Sequence, residues 1–201
     1  MKDPIRTITA RYVALPVDDV DTDQIIPARF LTTTQRTGLG AHLFADWRYL
    51  PGGEVNPRFV LNQGDAAGAQ ILVTGRNFGC GSSREHAVWA LSGAGFRAVI
   101  SPGFADIFRA NALGNGLLPV QLDAGTVASL IADGAGELRV DLAEQIVMQN
   151  GRTIGTFPID AFAKHCLMQG IDEMEYLLKL DREIGVYERA LDVAPKELTP
   201  A

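Results

Sequence analysis

The sequence predicts an α/β domain: a parallel central sheet, a β-rich layer after it, and helices at the C-terminal end. Three observations lead there. Buried-strand runs alternate with helical stretches through the middle of the chain, short closely spaced strands flank the Asn150-Gly151 pair, and helical patterns return after residue 160.

Taken in order, residues 8–17 read as a strand that runs through Tyr12, Val13 and Leu15 to Pro16. The strand feeds an acidic turn, Asp18-Asp19-Val20-Asp21-Thr22-Asp23, which meets Ile25-Ile26-Pro27. From 28 to 62 the pattern breaks at Thr32-Thr33-Thr34, Gly38, Gly40 and Pro51-Gly52-Gly53, the signature of a long functional loop or an irregular insertion. Residues 69–74 form a buried-strand run. A glycine-dense turn follows, then a helix over 83–94 whose Ala87, Ala90, Leu91 and Ala94 face a sheet. A strand at 97–101, a helix at 104–113 and a strand at 117–122 continue the alternation, which requires crossover connections and parallel pairing. Short strands at 138–142, 146–149 and 153–157 build the β-rich layer, with Asn150-Gly151 as a hairpin signal. Helices at 161–168 and 174–180 come next, the second with a Glu175–Lys179 surface pair, and about 195–201 reads as a mobile tail.

Bulk properties narrow the function. A chain of 201 residues, 47% hydrophobic, suits one substantial core, so 1–201 is expected to be a single domain. A net charge of -6 without a Lys/Arg cluster argues against nucleic acid as a partner. No stretch nears the roughly 18 apolar residues of a membrane span, and no apolar run follows the first charges, so a cytosolic protein with no membrane partner is expected. Cys80 and Cys166 stand far apart, with no CxxC and no His pair at ligand spacing, which suggests neither a disulfide framework nor a zinc site.

The densest chemical signal is Gly75-Arg76-Asn77-Phe78-Gly79-Cys80-Gly81-Ser82-Ser83-Arg84-Glu85-His86, between the buried strand and its helix. Glycines such as Gly81 let backbone N–H groups approach a ligand, and a helix N-terminus favours an anion. A phosphate P-loop needs Lys-Ser/Thr after its last glycine, and a dinucleotide fingerprint needs glycine where Arg84 stands; both fail. What remains is an anion pocket with two hydroxyls and a guanidinium. Arg84 suits a carboxylate, and a serine among N–H donors has its alkoxide stabilised. The alternative is purely structural: Ser82-x-x-Glu85 is also a capping box. The acidic turn suggests calcium, but an EF-hand register starting at Asp19 puts Gln24 where glycine is required and Phe30 where glutamate is required, leaving a solvated turn. Arg36 is either a second carboxylate ligand or an exposed loop residue, and His86 is given no catalytic role.

Asp21-Thr22-Asp23-Gln24-Ile25-Ile26-Pro27, followed by Asn77-Phe78-Gly79-Cys80-Gly81-Ser82-Ser83-Arg84-Glu85-His86, resembles the swivel domain of the aconitase superfamily. The Phe44-Ala45-Asp46-Trp47-Arg48 segment and the length are similar to the small-subunit branch of the isopropylmalate isomerases. The resemblance implies a three-layer β/β/α swivelling domain, a hydro-lyase reaction on a small dicarboxylate, and a separate large subunit carrying a [4Fe–4S] cluster. No cofactor is expected in this chain. It implies Ser82 as catalytic base, Ser83 as a hydrogen bonder to substrate carboxylate, Arg84 as carboxylate ligand, Asp23 as an orienting group, and Arg36 as a further ligand. Phe30 and Leu31 are the apolar candidates for the substrate's side chain. Small subunits of homoaconitase or citraconate/methylmalate hydratase, and a non-catalytic carboxylate-binding module, are the alternatives.

Overall fold

The computed structural model describes residues 3–31 and 37–190; Arg36, the Thr32-Thr33-Thr34 run and the expected tail lie outside them. Among the described residues, β1 (Thr7–Leu15), β2 (Ile71–Thr74), β3 (Ala98–Ser101), β4 (Leu118–Gln121), β5 (Ala135–Asp141), β6 (Ile146–Gln149) and β7 (Arg152–Thr156) form one sheet, ordered β4-β3-β2-β1-β5-β6-β7. Strands β1 to β4 pair in parallel, while β1–β5, β5–β6 and β6–β7 are antiparallel. The parallel half is what the strand–helix alternation predicts, because a strand returning in the same direction needs a crossover.

The period of two along the central strands sorts the core into two faces. Val13, Leu15, Leu72 and Val99 point to one cluster with Ala87, Val88, Leu91 and Phe108; these come from α3 (Glu85–Gly93) and α4 (Asp106–Asn115). Tyr12, Ile71, Val73, Ala98 and Ile100 point to the other, with Leu138, Val140 and Val147 of the antiparallel strands and Val127 and Leu130 of α5 (Ala124–Asp133). Each fully buried Leu or Val contributes about 1.5–3 kcal/mol relative to exposure, so neither face tolerates a polar replacement at these positions.

The sheet is curled. Strands β4 and β7 are its opposite edges, yet a Cβ added to Gly155 of β7 would sit 3.0 Å from a methyl of Leu122, just past β4. Thr126 Oγ1 of α5 also lies 3.4 Å from the Ile154 carbonyl. Folding the antiparallel arm over the parallel half produces the β/β/α layering from a single hydrogen-bonded sheet.

Four details depart from the sequence reading. Helix α5 went unanticipated, although its Asp123 cap accepts from the Thr126 N–H at 2.9 Å and marks its start. Strand β5 begins at Ala135, three residues earlier than the apolar pattern suggests, because Ala135, Gly136 and Glu137 pair with β1. The expected helix at 174–180 is α7 (Glu173–Lys179), after α6 (Ala161–Gln169); Glu175 closes a capping box with Asp172, and a further helix, α8 (Asp181–Ala190), follows. The segment 28–62 is irregular, as expected, but contains short helical turns at Ala28–Phe30, Leu39–His42 and Val60–Asn62, besides α2 (Ala45–Arg48).

Candidate active site

Beyond the C-terminal ends of β1, β2 and β3, the chain continues as three strips lying side by side, at the edge of a parallel sheet where ligands characteristically bind. The middle strip is the glycine turn 75–84. On one flank lies the acidic segment: Gly79 N–H donates to the Val20 carbonyl at 2.8 Å, and Thr22 N–H donates to the Cys80 carbonyl at 2.8 Å. On the other flank, Phe78 N–H donates to the Gly103 carbonyl at 3.1 Å, and Ala105 N–H to the Phe78 carbonyl at 3.1 Å. Isolated parallel bridges at Asp21–Cys80 and Phe78–Phe104 extend the sheet past its regular strands.

The two sequence motifs are therefore one structure. Val20, Thr22, Ile25 and Ile26 are buried and anchor the acidic segment, leaving Asp18, Asp19 and Asp23 outward. Asp18 takes the Arg76 backbone N–H and Nε, each at 2.9 Å, and Asp19 accepts from Asn77 Nδ2 at 2.9 Å. The side-chain bond from Arg76, then its backbone bond, holds the Asp18 carboxyl below its ordinary range. Asp21 caps α1 (Thr22–Ile25), accepting the Asp23 N–H at 2.7 Å while Gln24 returns to the Asp21 N–H at 2.8 Å. This reciprocal cap makes a rigid one-turn platform. The spacing Asp21-x-x-Gln24 before two isoleucines was the local signal for it, and the carboxylates of Asp18, Asp19 and Asp21 are each engaged in bonds that tie the two strips together or cap α1.

Gly79 and Gly81 are required by this packing. Both have left-handed φ, +78 and +94, and a Cβ would meet the Phe108 ring at 2.2 Å in the first case and the Asp21 carboxylate at 2.2 Å in the second.

At the tip, Ser82 and Ser83 are exposed and Arg84 is half-buried. Arg84 Nη1 is paired with Asp23 Oδ1, joining the cap residue of α3 to the first turn of α1. A guanidinium has five donors, so Asp23 leaves others for a second carboxylate. Helix α3 begins at Glu85 with Arg84 as its cap residue and no side-chain cap bond. The Ser82–Glu85 capping box is thus absent; Arg84 N–H instead donates to the Ser82 carbonyl at 2.8 Å, a tight turn that carries Ser82 away from the helix end. With no side-chain cap bond from Arg84, the positive end of α3 opens on the Ser82–Arg84 turn, an electrostatic setting that favours an anion.

Cys80 is a thiol whose pKa is raised by burial and by the carboxylates of Asp21 and Asp19; its Sγ donates to the Asp19 carbonyl at 3.2 Å. It has the environment of a structural thiol rather than of a nucleophile. Cys166 is buried on α6. Among the described residues, no three His, Cys, Asp or Glu side chains gather to hold a metal. His86 lies against the Trp89 ring, with centroids 4.6 Å apart.

Phe30 and Leu31 follow α1 directly and are half-buried against the helix-side core. Phe30 stacks on His42 with centroids 3.9 Å apart, beneath the Arg29 guanidinium. Its ring lines an open concavity of about 730 Å³ with Arg29, His42, Asp46 and Tyr49, to which the glycine turn contributes no lining residue. Asp23, Gly81, Ser82, Ser83 and Arg84 thus come together, while Phe30 lines a concavity that none of them lines. Thr22, Asp18 and Arg76, which shape the turn, had no local signal, since their partners lie about 60 residues away.

Residues 6–125 match the Aconitase C-terminal domain family. The chain is 55% identical over 193 residues to a 3-isopropylmalate dehydratase small subunit of Chloroflexus aggregans, covering 94% of each chain. It is 58% identical over 192 residues to one of Roseiflexus castenholzii, covering 93% of this chain and 94% of the relative. The crystal structure of a 3-isopropylmalate dehydratase from Methanocaldococcus jannaschii superposes with a TM-score of 0.65 at 31% identity, covering 91% of this chain and 99% of that one. An aconitase-type domain with this identity along almost its whole length belongs to the 3-isopropylmalate dehydratase small-subunit family.

Proposed function

We propose that the chain is the small subunit of a cytosolic hydro-lyase that interconverts 2- and 3-isopropylmalate by dehydration and rehydration in leucine biosynthesis. The observation that carries this is the exposed Ser82-Ser83 pair beside Arg84, with the Arg84 guanidinium held by Asp23 at the uncapped start of α3. Such a site binds a carboxylate and stabilises an oxyanion within the same few residues.

Dehydration of a malate-type acid removes a proton from the carbon beside one carboxylate and expels hydroxide from the neighbouring carbon. In this reading Arg84 grips a carboxylate in a two-point fork, Ser83 hydrogen-bonds to it, and Ser82 Oγ takes the proton. On rehydration Ser82 returns the proton to the other carbon, so the hydroxyl changes place. Asp23 keeps the guanidinium in plane. Among the described residues no cradle for an iron–sulfur cluster is formed: the two cysteines of the sequence lie on different elements, Cys80 bonded to the Asp19 carbonyl and Cys166 buried on α6. The cluster, and the Lewis acid it supplies, belong to the separate large subunit in this reading.

Reconstitution is the test. The purified chain is mixed with the iron–sulfur large subunit of a relative, and isopropylmalate turnover is followed against citrate-type and methylmalate-type acids. Turnover is expected only in the mixture, with isopropylmalate preferred. Ser82→Ala is expected to leave assembly intact and lower kcat about 10²–10⁴-fold, the usual weight of a positioned base. Near-normal turnover in that variant would return the serine to a structural role, and tight carboxylate binding by the chain alone with no turnover would favour a binding module.

A further inference from the structure

Thr22 is 1% exposed, and its N–H and its hydroxyl both bond to the glycine turn. Its N–H donates to the Cys80 carbonyl at 2.8 Å. Its hydroxyl accepts the Ser82 N–H at 3.1 Å and donates to the Ser82 carbonyl at 3.3 Å. A hydroxyl has one proton, so donating to one backbone group of Ser82 while accepting from the other fixes its rotation.

We propose that Thr22 is a positioning residue for the known family reaction: its hydroxyl fixes both backbone polar groups of Ser82 and so sets the direction in which Ser82 Oγ leaves the turn. The inference rests on the reading of Ser82 as the base. Gly81, with its left-handed φ of +94, would otherwise be a swivel directly before Ser82. Thr22 bridges across it, holding Cys80 on one side and Ser82 on the other. Its own position is fixed in turn, because it is the first residue of α1, whose cap is closed by Asp21 and Gln24. The Arg84 backbone shares the Ser82 carbonyl with Thr22, but its guanidinium, the group that would bind carboxylate, is held through the Asp23 side chain and not through Thr22. Loss of the Thr22 hydroxyl is expected to disturb proton transfer while leaving carboxylate binding in place.

Thr22→Val keeps the shape and removes the hydroxyl, and Thr22→Ser keeps the hydroxyl. In the reconstituted complex, Thr22→Val is expected to lower kcat about 10- to 100-fold, the scale of a displaced reacting group, with KM within about twofold of the unaltered chain. Thr22→Ser is expected to restore kcat to within about threefold. Amide exchange at Ser82, measured on the isolated chain, is expected to quicken in Thr22→Val and stay slow in Thr22→Ser, whether or not the Val variant assembles. A Thr22→Val complex with unaltered kcat, or one that loses activity through KM alone, overturns the proposal. So does slow Ser82 exchange in Thr22→Val. Ser82→Ala is run alongside: full activity there removes the base reading itself, whereas an inactive Ser82→Ala beside a fully active Thr22→Val removes only the role of Thr22.

Discussion

Arg84 and Asp23 form an ion pair with side chains 30% and 50% exposed, and at that exposure a pair contributes about 0–1 kcal/mol to stability. Its weight must therefore be sought in binding. A guanidinium gripping a carboxylate makes charge-assisted bonds worth about 1.5–3 kcal/mol each, and a lysine ammonium cannot reproduce the planar fork. Arg84→Lys is expected to raise KM about 10- to 100-fold with a smaller change in kcat and little change in thermal midpoint. Steady-state kinetics on the reconstituted complex checks this; a fall in kcat with KM unaltered would place Arg84 in the chemical step instead. At this scale much was legible in the sequence, because Gly81, Ser82, Ser83 and Arg84 are adjacent in the chain and their chemistry reads without knowledge of the fold. The bond from Asp23 to Arg84 spans 61 residues and needed the fold, or a resemblance, to be seen.

The segment after α1 raises the question of specificity. Residues Ala28–Phe30 form a single 3-10 turn, and Leu31 closes it by donating its N–H to the Ala28 carbonyl at 3.0 Å. Pro27 joins this turn directly to the platform that bears Asp23, so a change over Ala28–Leu31 alters the chain beside that platform while leaving Ser82 and Arg84 in place in the sequence. Of the two apolar candidates, Phe30 is committed to its stack on His42, which leaves Leu31 the better placed to meet an isopropyl group. Exchanging 28–36 for the segment of a relative with a different hydroxy-acid preference is expected to shift the kcat/KM ratio between the two acids by about 10- to 200-fold, the range a few methylenes in a pocket provide. An unchanged ratio would locate specificity elsewhere. Element boundaries were readable to within a residue where the apolar pattern met a clear break, as at β6 and α6, and shifted by two residues at the start of β2 and at both ends of α4. They were lost where small or polar residues carried the element: Ala135, Gly136 and Glu137 in β5, and the Ala/Gly/Thr start of α5. The absent Ser82–Glu85 cap shows the same limit, since a spacing pattern does not reveal that the turn before it bends away.

Across the whole molecule, three carboxylates pin joints of the curled sheet, a shape that no local pattern encodes. Asp18 ties the exit of β1 to the glycine turn, Asp123 caps α5, and Asp141 fastens the end of β5. Asp141 accepts the Glu144 N–H at 3.1 Å and pairs with Arg139 at 3.1 Å, with the Thr7 hydroxyl at 3.4 Å. All three are held below the ordinary carboxylate value of 3.8: Asp18 first by the Arg76 side chain, Asp123 by the Thr126 hydroxyl, and Asp141 by the Glu144 N–H. The sign follows from linkage. A carboxylate with a depressed folded-state pKa contributes its full stabilisation above the unfolded value and loses it as pH falls through the folded one. The thermal midpoint is therefore expected to vary little with pH from these groups between 7 and about 5, then to drop as pH falls below about 4. Of the three residues Asp141 is the most buried, so Asp141→Asn is expected to lower the midpoint at pH 7 and to flatten the acid limb below 4, because one proton-linked term has been removed. Calorimetry of both chains from pH 7 to pH 2.5 decides it: parallel acid limbs would mean that the β5 joint is held by packing alone, and that acid opens the molecule elsewhere, with the Asp18 joint beneath the glycine turn the next to examine.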